Sequence, residues 1–294
     1  MSSGLNSQIQ ELIAKLGNSD PIVRSTAASA LGRIAQRNSK LQEIFQAIQS
    51  LTQALKDPYE KARLNAALAL ARIAKKNPSS QELFQAIPLL VQTLNDPNEE
   101  VRSSVVRVFV YVGLPTILSL AKSLNDPEWQ IRANAALAIG EIALNNPNSK
   151  AIIPAIQPLI KALNDPDKNV RTGAAIAFEQ IGLPALKLLI KALNDPDNHV
   201  QSRIIPLLNR IVDATANLKP SQQLALEIKG ILSSKELIQL ASIDRKLYSQ
   251  LFTTCNKKLR ECQVKMDGVQ VEPPKRFIKN VQQGTIRLGG KSHV

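Results

Sequence analysis

Residues that usually carry catalysis, metal binding or disulfide bonds are scarce in this sequence. Its 294 residues include two cysteines and two histidines, and only 3% are aromatic. Cys255 and Cys262 would lie two turns apart on a helix, a spacing unlike the usual zinc motifs, so we expect helical-core or partly exposed thiols. His199 and His293 have no nucleophile or carboxylate nearby in a known catalytic arrangement. The sequence therefore favours a non-enzymatic protein and predicts neither a metal nor a cofactor.

Long apolar stretches are absent as well. No segment approaches the ~18 consecutive apolar residues of a membrane-spanning helix, and the chain opens at Met1 without the basic and then apolar leader of a secretory signal. Glycine-rich phosphate-binding loops are also missing. Hydrophobic residues still make up 44% of the chain, enough for an extended core. We therefore expect a cytoplasmic protein with no transmembrane segment.

The most prominent feature that is present is an internal repeat built on an Asp-Pro pair. The pair recurs at intervals of 37, 39, 30, 39 and 30 residues, starting at Asp20, Asp57, Asp96, Asp126, Asp165 and Asp195. Apolar residues at helical spacing precede and follow each pair, and such intervals are typical of stacked two-helix units. Because neither helix could bury its apolar face alone, neighbouring units must stack. The sequence thus predicts an all-α fold, an α-solenoid or superhelix of about six helix pairs.

An arginine recurs early in the second helix of the first five units. It lies six residues after the aspartate in all but the first unit, where Arg24 follows Asp20 by four. We expect each aspartate to cap its second helix, with the proline at the first helical position. Each guanidinium should reach the capping aspartate or a turn carbonyl of a neighbouring unit. The predicted structural ladder comprises Asp57, Arg63, Asp96, Arg102, Asp126, Arg132, Asp165 and Arg171.

The sixth copy departs from this pattern. Gln201 replaces the ladder arginine, and Pro206 falls inside the second helix, where it should kink the chain. We therefore place the end of the array near Val212. The predicted organisation is a repeat solenoid over residues 1–212, a helical C-terminal cap over 213–265, and a basic tail, partly extended or disordered, over 266–294.

The segment from Asn125 to Gly140, which reads Asn-Asp-Pro-Glu-Trp-Gln-Ile-Arg-Ala-Asn-Ala-Ala-Leu-Ala-Ile-Gly, resembles a HEAT repeat. It is similar to the short type found in phycobilisome lyases and related adaptors, and the resemblance extends over roughly Leu5 to Val212. It implies a solenoid whose second helices line a concave surface, in a scaffold or adaptor that binds a protein partner. The alternative that it implies is a phycobilin lyase subunit or a phycobiliprotein-remodelling factor. A HEAT-like DNA glycosylase would need several aromatic residues in a cleft, which the low aromatic content argues against.

Candidate partner-binding residues follow from aligning the units on the ladder arginine. One set lies nine residues after it, and positions two residues after it should flank that set on the same helical face. Arg107, Tyr111 and Trp129 are larger anchors near the middle of the array, of the types that dominate interface energetics. For Trp129, local packing at the start of its helix is an equal alternative. The predicted partner-binding residues are Arg33, Arg72, Arg107, Tyr111, Trp129, Glu141, Gln180, Arg203 and Arg210.

The net charge is formally +13, and much of it lies near the C-terminus. Residues 213–294 contain 14 Lys or Arg and seven Asp or Glu, a net charge of +7. Such a segment suits an acidic protein, a nucleic acid or an anionic surface. The shortage of stacking aromatics favours an acidic protein over a nucleic acid, although a merely solvated tail is equally compatible. The predicted basic contact comprises Lys257, Lys258, Arg260, Lys275, Arg276 and Lys279.

Overall fold

The computed structural model describes residues 2–37, 42–147, 149–193, 198–217 and 244–265, together with positions 228–231, 237, 240 and 241. The regular elements in these residues are helical. The first helices of the six units are α1 Ser2–Lys15, α3 Gln42–Ala54, α5 Gln81–Thr93, α7 Ile117–Ser123, α9 Ile153–Ala162 and α11 Leu183–Ala192. The second helices are α2 Pro21–Arg37, α4 Glu60–Lys76, α6 Glu99–Val112, α8 Trp129–Asn145, α10 Lys168–Ile181 and α12 Asn198–Ala216. A further helix, α13 (Arg245–Lys265), follows near the C-terminus.

The helix pairs stack into two layers. Each first helix contacts the first helix of the next unit, and each second helix contacts the next second helix, so that the core between the layers is continuous. Alanine, leucine, isoleucine and valine fill this core, and Phe109 and Phe178 are its largest fully buried side chains. The prediction of an all-α solenoid of about six helix pairs is confirmed.

The array has a longer period of two units. Asp57 and Asp126 are 69 residues apart in sequence, as are Phe109 and Phe178. The same separation relates Gly113 and Gly182, which connect a second helix to the next first helix with φ angles of 76° and 67°. This left-handed backbone region favours glycine, because a Cβ atom would be strained there. Each 69-residue block therefore contains one long unit and one short unit that is entered through such a glycine turn.

The arginine–aspartate ladder forms between units that are separated by a long interval. The guanidinium of Arg24 meets the carboxylate of Asp57 at 2.5 and 2.8 Å, that of Arg63 meets Asp96 at 2.7 and 3.2 Å, and that of Arg132 meets Asp165 at 2.7 and 2.8 Å. In Arg63 and Arg132 the remaining nitrogen, Nη1, also donates to carbonyls of the turn in its own unit. The predicted ladder is confirmed at these three steps.

The step from Arg102 to Asp126 departs from the prediction. Arg102 donates to the carbonyls of Asp96 and Pro97 in its own turn, at 2.7 and 3.1 Å, and the described residues show no ion pair between it and Asp126. In sequence, 24 residues separate these two, against 33 in each paired step. Compared with the preceding interval, α6 is three residues shorter than α4, Gly113 replaces a four-residue connection, and the next helical segment is also three residues shorter. Asp195, which would pair with Arg171 across the other short interval, lies outside the described residues.

A different side chain joins the units at the short intervals. The Asn134 amide nitrogen donates to the Leu94 carbonyl at the end of α5, 3.0 Å away. One block later, Arg203 donates to the equivalent carbonyl of Leu163 at 2.7 Å. Each of these side chains lies early in a second helix. It donates to a carbonyl at the C-terminal end of the preceding unit's first helix, where carbonyls lack partners within the helix. The short units are thus linked through the end of the preceding first helix rather than through an ion pair.

Of the five Asp-Pro aspartates that the structure describes, only Asp20 in the first unit has the capping role that we predict. There α2 begins at Pro21, and Asp20 accepts a hydrogen bond from the amide of Ile22 at 2.8 Å. In the third unit the Asp96 carboxylate accepts from the amide of Asn98 (2.9 Å), and Asn98 in turn caps α6 by accepting from Val101. Asn98 has extended backbone angles, so the helix begins only after it. Units two, four and five show the same delay: each helix starts three residues after its aspartate.

Pro206, where the sequence predicts a kink, lies inside a helix as expected. Helix α12 continues through it and ends at Ala216, beyond the array end predicted at residue 212. Helix α13 then packs against α12 and buries Leu247 and Leu251. Residues 266–294 lie outside the described residues.

In the described part of the chain no single helix is long and apolar enough to cross a membrane. The two segments that would pass such a test together, Glu99–Val112 and Leu114–Ser123, are bent by 113° at their junction.

The core assignment predicts a large cost for truncating Ile139. This α8 side chain is fully buried, so Ile139→Ala should lower the free energy of unfolding by about 2–5 kcal/mol through lost burial and the cavity left behind. Urea denaturation followed by circular dichroism measures it. Leu118→Ala is the control, since Leu118 is 69% exposed and should change stability by less than about 0.5 kcal/mol. Equal stability of Ile139→Ala and the parent would refute this core assignment.

The ladder predicts a pH-dependent contribution from Asp165. Burial alone would raise the pKa of this carboxyl, but hydrogen bonds from Arg132 and from the Asp167 amide outweigh it, so that the pKa lies below its usual value. The ionised pair therefore stabilises the fold above pH ~4, and this contribution fades as pH falls through the lowered pKa. Asp165→Asn should cost about 1–3 kcal/mol at neutral pH and progressively less towards pH ~2.

Asp126→Asn provides the matched control in the same urea-denaturation series. Asp126 makes the same turn hydrogen bond, to the Glu128 amide at 3.0 Å, but has no ion pair with Arg102. It should show a smaller loss at neutral pH, because no ion pair is removed. Equal losses for the two variants at every pH would mean that the Arg132–Asp165 pair contributes nothing to stability.

Candidate functional site

The structure brings one equivalent side chain from each second helix onto a single face. We call this set, which lies nine residues after the ladder position, the outer row. Arg33, Glu141 and Arg210 are exposed within it, whereas Arg72, Tyr111 and Gln180 are half-buried. Because the second helices stack side by side in register, the row runs across the whole array. The outer row consists of Arg33, Arg72, Tyr111, Glu141, Gln180 and Arg210.

Two half-buried members of the outer row lie against glycines of the preceding second helix. A Cβ atom built on Gly32 would be 2.9 Å from Nη1 of Arg72, and one on Gly140 would collide with the side-chain oxygen of Gln180. The same two Cβ atoms would be 3.0 Å from the Cα of Ala69 and 2.8 Å from the Cα of Ala177. At Gly140 a Cβ atom would therefore clash with the backbone of α10, and at Gly32 it would be in tight contact with the backbone of α4.

The remaining contacts of the outer row are weak or local. Arg33 donates to the Ser29 hydroxyl on its own helix at 3.2 Å. The Lys75 ammonium lies 5.8 Å from the centre of the Tyr111 ring, a cation–π contact from α4 to α6. Arg210 forms an ion pair of 2.8 Å with Glu179, and both side chains remain well exposed. The side-chain oxygen of Gln180 is buried without a hydrogen-bond partner in the structure.

An apolar row that the sequence analysis missed runs beside the outer row. It lies five residues after the ladder position, one helical turn before the outer row, and comprises Leu68, Leu137 and Ile176. Leu68 and Leu137 are half-buried and Ile176 is 37% exposed. Arg107 holds the equivalent position on α6, where it donates to the Ser104 hydroxyl at 2.9 Å. The signal was present in the sequence, since the same alignment on the ladder arginine reveals it.

Two of the predicted partner-binding residues lie away from the outer row. Trp129 is the first residue of α8, three turns before Glu141, and on a straight helix it points about a third of a turn to the side. It is 39% exposed. Arg203 is half-buried, and its guanidinium is engaged with the Leu163 carbonyl and the Asn164 side chain, at 2.7 and 2.6 Å. The structure therefore does not bring these two together with Tyr111.

The predicted basic contact is only partly within the described residues. On α13, Lys257 and Arg260 are exposed. Lys258 is instead buried and its ammonium pairs with Glu261 at 2.6 Å, so the expectation of a solvent-facing Lys258 is wrong. Its spacing from Leu251 and Cys255 places it on the side of α13 that packs inward. Lys275, Arg276 and Lys279 lie outside the described residues.

Cys255 belongs to the core of the cap. Its side chain is 1% exposed, and burial raises the pKa of the thiol to about 12. A thiol with such a pKa stays protonated at neutral pH and is a poor nucleophile. The expectation of a helical core cysteine is confirmed for Cys255, while the side chain of Cys262 lies outside the described set.

A model of HEAT repeats matches residues 48–119, 87–154 and 117–209. These matches together span more than half of the chain and coincide with the stacked helix pairs described above. The chain belongs to the HEAT-repeat family. The finer resemblance to the phycobilisome-lyase type stays a prediction. No curated protein matches the sequence.

Solved structures of similar fold have low sequence identity to this HEAT array. One, from a study titled "Structural Basis of Microtubule Plus End Tracking by XMAP215, CLIP-170 and EB1", is 19% identical, with a TM-score of 0.56 over 68% of this chain and 90% of that one. The MAST/Orbit N-terminal domain is 16% identical, with a TM-score of 0.55 over 69% of this chain and 96% of that one. At these identities the likeness concerns the fold alone.

The close approach of the second helices predicts that Gly140 resists substitution. Gly140→Ala should lower the free energy of unfolding by about 1–3 kcal/mol, because the new Cβ meets the Ala177 backbone and the Gln180 side chain. Urea denaturation measures the loss. The control is Gly4→Ala in α1, where a Cβ would have no neighbour within 4 Å, so alanine should be neutral or slightly stabilising. A neutral Gly140→Ala would mean that α8 and α10 can separate freely.

Proposed function

We propose that this protein is a non-enzymatic scaffold or adaptor that holds a protein partner on the face formed by its second helices. HEAT repeats generally serve as protein-interaction scaffolds, and the resemblance makes the second-helix face the concave one. The observation that carries the proposal is the pair of parallel rows on that face. One row is apolar on α4, α8 and α10 and has Arg107 at its α6 position, and the mixed outer row runs beside it. Together the two rows provide an elongated surface that suits an elongated partner.

The composition of these rows supports recognition of a specific partner. The side chains that pack one repeat against the next are of the same type from unit to unit, as the buried alanines of α4 and α8 show. The outer row instead contains two charge signs, an aromatic ring and an amide. Such variation gives each helix a different contact, which is how an array distinguishes one partner from another. Tyr and Arg, both present in the row, are the types that contribute most at interfaces.

We further propose the basic C-terminal segment as a second contact. Lys257 and Arg260 expose two positive charges on α13, and Lys275, Arg276 and Lys279 follow in sequence. A second contact on the same partner would raise the overall affinity, because the first contact holds the partner at a high local concentration. Its contribution should weaken with salt, since exposed charges are screened.

The scaffold proposal predicts that a charge in the apolar row abolishes partner capture. Ile176→Asp in the full-length chain should reduce recovery of the partner from native cell extract at least tenfold, because the carboxylate must be desolvated on docking. Leu118→Asp is the matched control. Leu118 is also exposed and apolar but lies on α7, in the first-helix layer. Quantitative mass spectrometry of the captured proteins provides the measurement, and circular dichroism checks that both variants keep their helicity.

Three other outcomes would change the proposed binding site or function. Equal recovery by Ile176→Asp and the parent would move the site away from the second-helix face. Loss only in a Lys275→Gln, Arg276→Gln and Lys279→Gln variant would make the C-terminal segment the main binding element. A change in bilin absorption on mixing the protein with bilin and an apo-phycobiliprotein would support the lyase or remodelling alternative.

A further inference from the structure

We propose that the first half of the second-helix face binds an acidic segment of the partner protein. This inference deepens the proposed scaffold function and rests on it. The segment would dock on what we call the basic surface, which spans α2, α4 and α6. The basic surface consists of Arg33, Arg37, Arg72, Lys75, Lys76 and Arg107.

These six side chains share one stripe of the helix surface. At 100° per residue they fall within about 100° of one another around their helix axes once the three helices are aligned on the ladder arginine. Arg72 is half-buried, and the other five side chains are exposed. Because α2, α4 and α6 stack side by side, the stripes merge into one positive surface around Tyr111.

No carboxylate lies within the basic surface. Helix α2 contains no acidic residue at all, and those of α4 and α6 are Glu60, Glu99 and Glu100, all in the first turn of their helices. The basic residues lie in the second half of each helix, two or more turns away. The positive charge of this surface is therefore uncompensated by the helices that form it.

The charge of the face changes on the next helices. The outer row continues with Glu141 on α8 and Gln180 on α10, and Glu179 beside it neutralises Arg210 through their 2.8 Å ion pair. An acidic segment is thus attracted by the first half of the array and repelled by Glu141. This asymmetry fixes where along the face the segment docks.

The cations of the basic surface have few competing interactions. Within the described residues, Arg33 and Arg107 donate to serine hydroxyls only, and Lys75 lies over the Tyr111 ring. Arg72 is positioned by packing against Gly32 and forms no ion pair in the described part of the chain. Its guanidinium is therefore held in place with donors free for a carboxylate, so little side-chain entropy is lost on binding.

Helix dipoles account for only part of this pattern. Arg37, Lys75 and Lys76 lie in the last turns of α2 and α4, where positive charge stabilises the helix itself. Arg33 and Arg72 are a further turn inside their helices, and Arg107 is five residues before the end of α6. These three arginines therefore need another explanation, and an anionic partner provides it.

The dimensions suit a short extended peptide. Packed helices are about 8–10 Å apart, so the basic surface spans roughly 16–20 Å from α2 to α6. At about 3.3 Å per residue, five or six residues of an extended chain would cross it. The surface has one aromatic ring, Tyr111, whereas single-stranded nucleic acids are usually held by several stacking rings. The chemistry therefore favours an acidic protein segment over a nucleic acid.

The test uses fluorescence anisotropy with a labelled peptide of alternating glutamate and serine, about twelve residues long, and the full-length protein. Arg33→Gln with Arg107→Gln should weaken peptide binding at least tenfold. It should also reduce the dependence of affinity on salt, because two charge contacts are removed. The matched control is Lys161→Gln with Lys187→Gln, which removes the same charge from exposed positions on α9 and α11 and should change affinity less than twofold. A peptide with glutamine in place of glutamate should bind neither parent nor variant.

Two results would overturn the inference. One is peptide binding that survives Arg33→Gln with Arg107→Gln but is lost on changing Lys275, Arg276 and Lys279 to Gln, which would place acidic recognition on the C-terminal segment. The other is tighter, arginine-dependent binding of an oligothymidylate of similar length, which would identify the surface as a nucleic-acid site.

The scaffold function can fail separately from this inference. If partner capture depends on Ile176 but the peptide ignores Arg33 and Arg107, the scaffold stands and its partner is not acidic at this surface. If the peptide requires both arginines while capture is indifferent to Ile176, the basic surface binds acidic segments but the face as a whole is not the scaffold's docking site.

Discussion

The close approach of neighbouring second helices is the constraint on which the rest of the structure depends. Gly32 on α2 faces Ala69 on α4, and Gly140 on α8 faces Ala177 on α10; a Cβ atom would be in tight contact with the facing backbone at Gly32 and would clash with it at Gly140. Helices that pack on small residues come close enough for their turns to interact directly. The arginine at the fourth position of one second helix can then reach the aspartate that precedes the next. Two ladder pairs, Arg24–Asp57 and Arg132–Asp165, join helices that approach in this way. The third pair, Arg63–Asp96, forms between α4 and α6, where Ala71 stands at the position of the glycine.

The alternation of long and short units modifies this constraint in a regular way. Where the interval is long, an arginine–aspartate pair joins the turns. Where it is short, the second helix has 14 residues instead of 17 and a single glycine connects it to the next helical segment. The resulting shift in position removes the pair between Arg102 and Asp126. Asn134 and Arg203 then bind the free carbonyls of Leu94 and Leu163. Both arrangements satisfy polar groups that would otherwise be buried without partners, so the two-unit period preserves a continuous core although its joints differ.

The sequence predicted the features that depend on residue type and spacing. The recurring Asp-Pro pairs predicted six stacked helix pairs, and the aligned arginines predicted both the ladder and the outer row. The sequence-based prediction was wrong where the backbone conformation determines at which residue a helix begins. Asn98 is extended after Pro97, which moves the start of α6 and takes the capping role away from Asp96. The arginine follows the helix start, not the aspartate, which explains the shorter offset of Arg24. Lys258 was misplaced because an amphipathic stripe gives no direct sign of a lysine buried beside a glutamate.

The packing that builds the array also determines what its second-helix face can bind. A side chain that packs against a glycine, as Arg72 does against Gly32, is held by van der Waals contact, and within the described residues Arg72 forms no ion pair. A ladder arginine such as Arg63 is equally well positioned, but its donors are already occupied by Asp96 and its own turn. Two arginines on α4, nine residues apart, thus have opposite roles for a physical reason. One lies where the next unit supplies a carboxylate, and the other lies where the described part of the array supplies none, which is why we propose that the partner provides the anion.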